Sequence, residues 1–286
     1  MDNGLLVQMI LGALLGLSVY LPMAAGQLSL ATPAFYAVGG TLAALLATQG
    51  GPQAGISLGA VLAEMVLAAA LTAALALLVG LPVLRLRGIY LAIATIALVE
   101  IVRVAILNLP FTGGATGIFG IPQPFQHPFG YVWLSGGLLA LCGWLFQRLE
   151  ASQLGRSMAA IRDDELASRC MGINTTRVKL SAFVASAALA GVTGVIAAHY
   201  VNTWNARQGS FDVAITTLAF VILGGSRSWL GPVIGGLLLT ALPELLRPVG
   251  DLRLVLFGLV ILLGPVLFPQ GLITPALLER IGRWKP

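Results

Sequence analysis

The chain has 286 residues, of which 58% are hydrophobic and 9% charged, with a net charge of +5. An ordinary soluble domain carries about 25% charged residues, so the composition excludes one, and the length leaves no room for a sizeable soluble domain beside the apolar segments. The positive excess is not the footprint of a nucleic-acid binder, because it collects in a few loops, as the positive-inside bias of membrane proteins requires.

The N-terminus, Met1-Asp2-Asn3-Gly4, lacks the basic region of a cleavable signal, so the first apolar stretch is predicted to remain as a span. Apolar stretches then follow at 5–25, 28–48, 56–80, 88–109, 131–147, 178–201, 212–224, 231–247 and 252–268. They are continuously apolar rather than alternating, and only helices or closed barrels satisfy the backbone in lipid, so they are read as helices. The fold class is therefore an all-α polytopic transmembrane bundle of eight to ten spans, a single domain over 1–286. Basic residues set the orientation. Arg85 and Arg87, the six Arg and Lys of 148–179, and Arg280, Arg283 and Lys285 mark cytoplasmic loops and a cytoplasmic C-terminus. Counting passes back then places the N-terminus and the long loop 110–130 outside.

Two places interrupt the helical pattern, AAGQLSLATPAFYAVGG (24–40) and LGGSRSWLGPVIGG (223–236). Pro and Gly at membrane depth free backbone groups that must find partners in protein or water, and paired interruptions point to internal duplication and a translocation path. The stretch 212–224 is short enough that a complete crossing is in question. Small residues at Gly39-Gly40, Gly191, Gly194 and Gly231–Gly236 predict close helix packing.

The segment 148–179 carries ten of the 27 charged side chains. Asp163 is expected to cap a short helix over 164–171, with Asp164 and Glu165 at its positive start and Arg169 near its end. Gly172 supplies the left-handed position beyond it, with Ile173 in hydrophobic contact. Glu165 and Arg169 form a favourable i,i+4 pair with Arg162 on the same side, while Leu166, Cys170 and Ala159 share the other. Such a two-turn helix needs something to pack against.

Charges within spans should face protein or water. Glu100 with Arg103, and Glu244 with Arg247, are spaced to neutralise each other. Glu64 has no local partner, which marks it for a path-lining or bundle-locking role. Cys142 and Cys170 lie in different environments, so no disulfide is expected. His127 and His199 lack carboxylate or cysteine neighbours at ligand spacing. No nucleophile–base arrangement, Walker loop or dinucleotide fingerprint occurs, so neither a cofactor nor an enzyme activity is expected. Gly113-Gly114-Ala-Thr-Gly117 reads as a structured outer loop.

The island GRSMAAIRDDELASRCMGIN resembles the cytoplasmic coupling segment of ABC-importer permeases of the branched-chain amino acid type. GQLSLATPAFYAVGG, LRGIYLAIATIALVEIVR, TGGATGIFGIP, and VILGGSRSWLGPVIGG followed by LPELLR extend the resemblance in the same order, from about residue 10 to 270. It implies a permease subunit of the bacterial inner membrane without its own ATPase site. Such a subunit would pair with a second homologous permease, two cytoplasmic ATP-binding subunits and an extracytoplasmic solute-binding protein. On this reading Arg162, Asp163, Asp164, Glu165, Ala167 and Gly172 couple to the ATPase. Glu165-Leu-Ala-Ser stands where many ABC importers show Glu-Ala-Ala, which leaves the docking face open. The chain also begins one span later than related permeases, in agreement with an outside N-terminus. Gln27, Ser29, Thr32 and Tyr36 are candidates for the polar lining of the path, with Glu64. Branched-chain amino acids are the implied cargo, with urea and short amides as alternatives in the same family. An ion-coupled carrier using Glu64 or Glu100 is the competing class, but it has no evident use for the charged island.

Overall fold

The computed structural model describes residues 3–49, 56–125, 127–250, 252–268 and 271–273. The tail cations Arg280, Arg283 and Lys285 lie outside the described residues. The apolar stretches form α1 (Asn3–Ala24), α2 (Thr32–Gln49), α3 (Leu58–Val83), α4 (Ile89–Asn108), α5 (Pro128–Ala151), α8 (Thr175–Val201), α9 (Phe211–Gly224), α10 (Leu230–Leu245) and α11 (Leu252–Leu267). The charged island supplies two more helices, α6 (Gln153–Asp163) and α7 (Glu165–Cys170). Among the described residues six helices, α1, α3, α4, α5, α8 and α10 with its following turn, are long and apolar enough to cross a membrane, whereas α2, α9 and α11 are shorter. The fourteen residues of α9 rise about 21 Å, less than the roughly 30 Å hydrocarbon layer.

The two most buried long helices, α1 and α8, run antiparallel at the centre. Ser18 Oγ donates to the Ser186 carbonyl at 2.9 Å, and the Tyr200 hydroxyl donates to the Gly4 carbonyl at 3.0 Å. Around them, α3, α4 and α5 turn large apolar side chains outward, among them Leu78, Ile101 and Trp133, as lipid or a partner subunit would require.

The interruptions are of one kind but pair differently from the expectation. After α1 the chain turns at Gly26, and residues 27–31 run without helix back into the bundle. There the Leu30 amide donates to Thr95 Oγ1 at 3.0 Å, two turns inside α4, and α2 starts at depth. After α8 the chain does the same at the opposite end. Residues 202–210 turn back, a Cβ on Gly209 would stand 3.0 Å from Ala37 Cβ of α2, and α9 follows, its first residue Phe211 exposed and Ala214 buried. The 24–40 interruption thus matches 202–225 rather than 223–236. In the sequence, Thr32, Ala34, Phe35, Gly39 and Gly40 recur as Thr217, Ala219, Phe220, Gly224 and Gly225. Packing obeys the same exchange: α1 lies along α10 as α8 lies along α3. Since α8 runs opposite to α1, the two triplets α1–α3 and α8–α10 are inverted copies, the construction by which transporters place discontinuous helices at mid-membrane.

The loop 110–130 is structured, as expected, but it holds a strand the sequence did not disclose. Residues Ile118–Phe119 (β1) pair antiparallel with Thr203–Trp204 (β2), Ile118 opposite Trp204. Trp204 then reaches inward, its Nε1–H donating to the Ala37 carbonyl at 3.2 Å.

Candidate functional site

The charged island folds against the bundle in two steps. Ser152 caps α6, its hydroxyl accepting from the Gly155 amide at 3.3 Å. Met158 and Ile161, three apart on α6, bury themselves against Ala25, Val178 and Ala182. At the end of α6 the approach is backbone to backbone: a Cβ on Gly26 would stand 2.9 Å from Arg162 Cα. Arg162 reaches across to the second interruption, where its Nη1 donates to the Ser226 carbonyl at 3.3 Å. It therefore lies apart from Glu165 and Arg169, contrary to the expectation that the three share a side, because a break in the chain direction separates α6 from α7.

That break also moves the cap. Asp163 is the last residue of α6, so it cannot take the extended conformation an N-cap needs. Asp164 takes it, and its Oδ1 accepts from the amides of Leu166 at 2.8 Å and Ala167 at 3.0 Å. The C-terminal end is as expected. Gly172 has φ +84°, its amide donates to the Arg169 carbonyl at 3.0 Å, and the Ile173 amide donates to the Ser168 carbonyl at 3.1 Å, the paired bonds of a Schellman stop.

The charged face of α7 is turned into the protein. Glu165 Oε1 accepts from Arg169 Nη2 at 2.7 Å, and its Oε2 accepts from Lys179 Nζ of α8 at 2.8 Å. Arg87, in the α3–α4 loop, stands 3.8 Å away. Burial pulls the Glu165 carboxyl upward, but the Lys179 hydrogen bond and the charges of Lys179, Arg87 and Arg169 outweigh it and hold the group below the ordinary carboxylate value. A carboxyl depressed by folding stabilises above its unfolded value of about 4.3 and loses that contribution as pH falls through the folded value. Between about pH 5 and 8 the anchoring of α7 should therefore be constant. It should loosen only in the acid limb, and Glu165→Gln should abolish that step. Amide exchange at 166–170 across pH is the check. On the outer face, Leu166 is 65% and Met171 84% exposed, with Ala167 and Cys170 beside them, also exposed. Ala159, expected to join this face, is half-buried on α6.

Beneath α7 lies a cavity of about 70 Å³ lined by Gln27, Leu84, Arg87, Leu91, Glu165 and Lys179, among others. Ser29 and Thr32 are buried deeper along the same segment, and Tyr36 packs edge-on against Trp204 at 5.2 Å. The four polar candidates thus follow the re-entrant segment inward and do not converge on one point.

Glu64 has a partner 135 residues away. His199 Nε2 lies 2.6 Å from Glu64 Oε2, and both side chains are buried. The Pro122 carbonyl, 2.8 Å from Nδ1, can only accept, so Nδ1 carries a proton and Nε2 faces the carboxyl with one further proton between them. The pair joins α3, α8 and the loop after β1. The pairs foreseen from spacing are present: Arg103 Nε to Glu100 Oε2 at 2.7 Å, and Arg247 Nη1 to Glu244 Oε1 at 3.0 Å. Cys142 is a buried free thiol and Cys170 an exposed one.

A second carboxylate that reading along the sequence missed is Glu150. Its Oε1 accepts from the Tyr20 hydroxyl at 2.7 Å and from the Trp229 amide at 2.9 Å, tying α5 to α1 and to the start of α10. Its proximity to the second interruption gave no local signal, because both partners are more than 70 residues distant.

A profile of the family described as "Branched-chain amino acid transport system / permease component" matches residues 1–264. The chain belongs to this family. It is 34% identical over 298 aligned residues to the high-affinity branched-chain amino acid transport system permease protein LivM of Salmonella typhimurium, covering 94% of this chain and 68% of that protein. Its likeness to LivM of Escherichia coli K12 is 33% over the same shares. The permease protein LivH of Escherichia coli K12 is 31% identical over 153 residues, 52% of this chain and 48% of LivH. No solved structure matches significantly. The chain is thus a multi-pass membrane permease component, and among the described residues six helices are long and apolar enough to cross a membrane.

Proposed function

We propose that this permease is one of two membrane subunits of an ATP-driven importer of branched-chain amino acids, and that α7 is the lever through which separate ATP-binding subunits work it. In this arrangement 148–179 lies in the cytoplasm, the loop 110–130 and the N-terminus lie outside, and a solute-binding protein delivers cargo from there. The likeness to LivM supports the cargo, and the weaker likeness to LivH fits pairing with a second, homologous permease.

The observation that carries the coupling role is the two-sidedness of α7. Asp164 and Gly172 fix its ends, and Glu165 anchors it to α8 and the α3–α4 loop. Arg162 holds the preceding helix to the second interruption. Ala167 is left on the outward face with Leu166 and Met171, and Asp163 is exposed at its edge. Of the six expected coupling residues, then, four build and anchor the rod, and two face the partner. A rod rigidly joined to the bundle and greasy on its free side suits insertion into a cleft on an ATP-binding subunit. Closure of those subunits on ATP would move it as a rigid body.

The test replaces Leu166 and Met171 together by aspartate in the assembled transporter. Truncating a buried apolar anchor at an interface costs about 2 kcal/mol or more, so uptake in proteoliposomes should fall more than about tenfold, and the ATP-binding subunits should no longer copurify. Phe119→Asp, on an exposed side chain of β1 in the outer loop, should leave copurification of the ATP-binding subunits unchanged. Normal uptake by the double variant would remove α7 from the coupling path.

A further inference from the structure

Glu100 and Arg103 stand apart from the other charges within spans. They are the twelfth and fifteenth of the twenty residues of α4, about 17 and 21 Å along a helix about 30 Å long, and so lie within the hydrocarbon layer. Glu64, also inside a span, is sealed against His199, and Glu244 stands at the end of α10. The α4 pair is neither sealed nor terminal, for the side chains of Glu100 and Arg103 are 39% and 36% exposed. A charge at this depth is tolerated only against protein or water, so this flank of α4 does not face lipid. The direction of Arg103 agrees. A lipid-facing arginine this close to a helix end would extend its head toward the membrane surface, whereas Arg103 Nε donates back to Glu100 Oε2 at 2.7 Å.

The neighbours of α4 place the pair beside both interruptions. Ala92 packs with Leu30 of the first re-entrant segment and with Ala214 of α9. Ile106 packs with Ala37 of α2 and with Ala206 of the turn that follows α8. The two inverted triplets therefore meet on α4, and transporters built from such repeats hold solute near mid-membrane, beside their discontinuous helices.

The pair is also chemically incomplete. Its hydrogen bond occupies one atom of each side chain, and among the described residues Glu100 Oε1 and both Nη atoms of Arg103 have no partner. A free guanidinium edge matches a carboxylate, and a free carboxylate oxygen accepts from an ammonium. Ile93, Ile101 and Val104 expose aliphatic surface on the same helix. The set fits a zwitterion with a short apolar side chain.

We propose that Glu100 and Arg103 receive the head group of the transported amino acid at mid-membrane, its carboxylate on Arg103 and its ammonium on Glu100, in a water-lined path between α4 and the second permease. The proposal rests on the importer reading above and adds to it the residues that touch the solute.

The experiment uses the complete transporter in proteoliposomes, with L-leucine as the probe. Arg103→Gln should lower the leucine carried per ATP hydrolysed by at least about tenfold, the factor worth one hydrogen bond between charged groups, while the ATP-binding subunits still copurify. Exchanging the two charges, Glu100→Arg with Arg103→Glu, restores an ion pair at the same spacing but reverses it relative to the path. Assembly should then be normal and leucine transport should stay low; full recovery of transport would reduce the pair to a structural one. A third variant leaves the pair intact and so decides the matter even where charge variants fail to assemble. Ala97, exposed three residues before Glu100, is replaced by cysteine in a chain carrying Cys170→Ser. A charged, membrane-impermeant thiol reagent should label this chain at 97, and L-leucine should slow the labelling more than 4-methylvalerate or isoamylamine, each of which lacks one half of the head group. If the unmodified transporter takes up leucine but the thiol at 97 is unreactive, or leucine leaves its labelling rate unchanged, the receptor is overturned and the importer reading stands. If the unmodified transporter moves no amino acid with ATP, both fall together.

Discussion

Glu64→Leu should lower the stability of the folded permease by about 3–5 kcal/mol, the loss that follows removal of one partner from a buried hydrogen-bonded pair. His199 is fully buried, and its Nδ1–H is committed to the Pro122 carbonyl. With leucine opposite, Nε2 would have no polar group to meet and no water to replace it. The damage should spread, because the same ring holds the loop after β1 against α8, where Asn202 also bonds the Ile121 carbonyl at 2.7 Å. Glu64→Gln separates the causes. Its amide N–H can donate to the Nε2 lone pair, so it should lose only about 1 kcal/mol while removing the carboxyl. Unfolding of both variants in nanodiscs gives the comparison, and leucine uptake by the glutamine variant gives a second. If Glu64 locks the bundle, uptake by that variant should stay near normal. If leucine is tolerated as well as glutamine, the pair is not a structural lock.

Glu64 also shows where sequence reading reached its limit. That a charge at this depth had to face protein was legible from its position in a 26-residue apolar helix, and so was the need for a partner. The partner was not, because α3 and α8 meet only after the chain has folded back several times, and one His near a helix end carries no mark of what lies opposite. Pairs within one helix turn, Glu100–Arg103 and Glu244–Arg247, were legible because helix geometry alone brings them together. The same division holds in the island. Gly172 and its stop could be read locally. The N-cap shifted from Asp163 to Asp164 because α6, whose Ser152 cap and buried Met158 and Ile161 are visible in retrospect, runs one residue further than a charged loop suggests. The direction in which α7 faces depended on Lys179 and Arg87, residues of other elements, so no helical wheel could settle it. The apolar stretches themselves fell within a few residues of the helices, since bilayer thickness and continuous hydropathy constrain them strongly. A repeat of Thr, Ala, Phe and Gly-Gly, five residues in nine, links α2 to α9, but its glycines fall inside α2 and at the end of α9, so the inverted relation of the triplets is read from their packing.

Gly191→Leu should be as damaging as loss of the buried pair, for a different reason. Gly191 lies where α8 passes between α2 and α3. A Cβ there would stand 2.6 Å from Thr72 Oγ1 and 3.2 Å from the Ala68 carbonyl, while a Cβ on the facing Gly39 would come within 2.6 Å of Gly191 Cα. One turn on, a Cβ on Gly194 would lie 2.8 Å from the Gly40 amide nitrogen. Contacts with backbone cannot be relieved by a rotamer change, so a side chain at 191 must push whole helices apart. In lipid, where association rests on close packing rather than on the hydrophobic effect, that separation also forfeits dispersion contacts along both crossings. The expected loss is about 3 kcal/mol, the upper end for overpacking, together with detachment of Trp204 from Ala37, which the same crossing supports. Gly137→Leu on α5 provides the control, since it is exposed and nothing lies within 4 Å of its Cβ position. It adds equal volume and apolarity without meeting another helix, and unfolding in nanodiscs should leave it near the parent. Equal effects of the two substitutions would mean that the α2–α8–α3 crossing does not depend on the close approach its glycines allow.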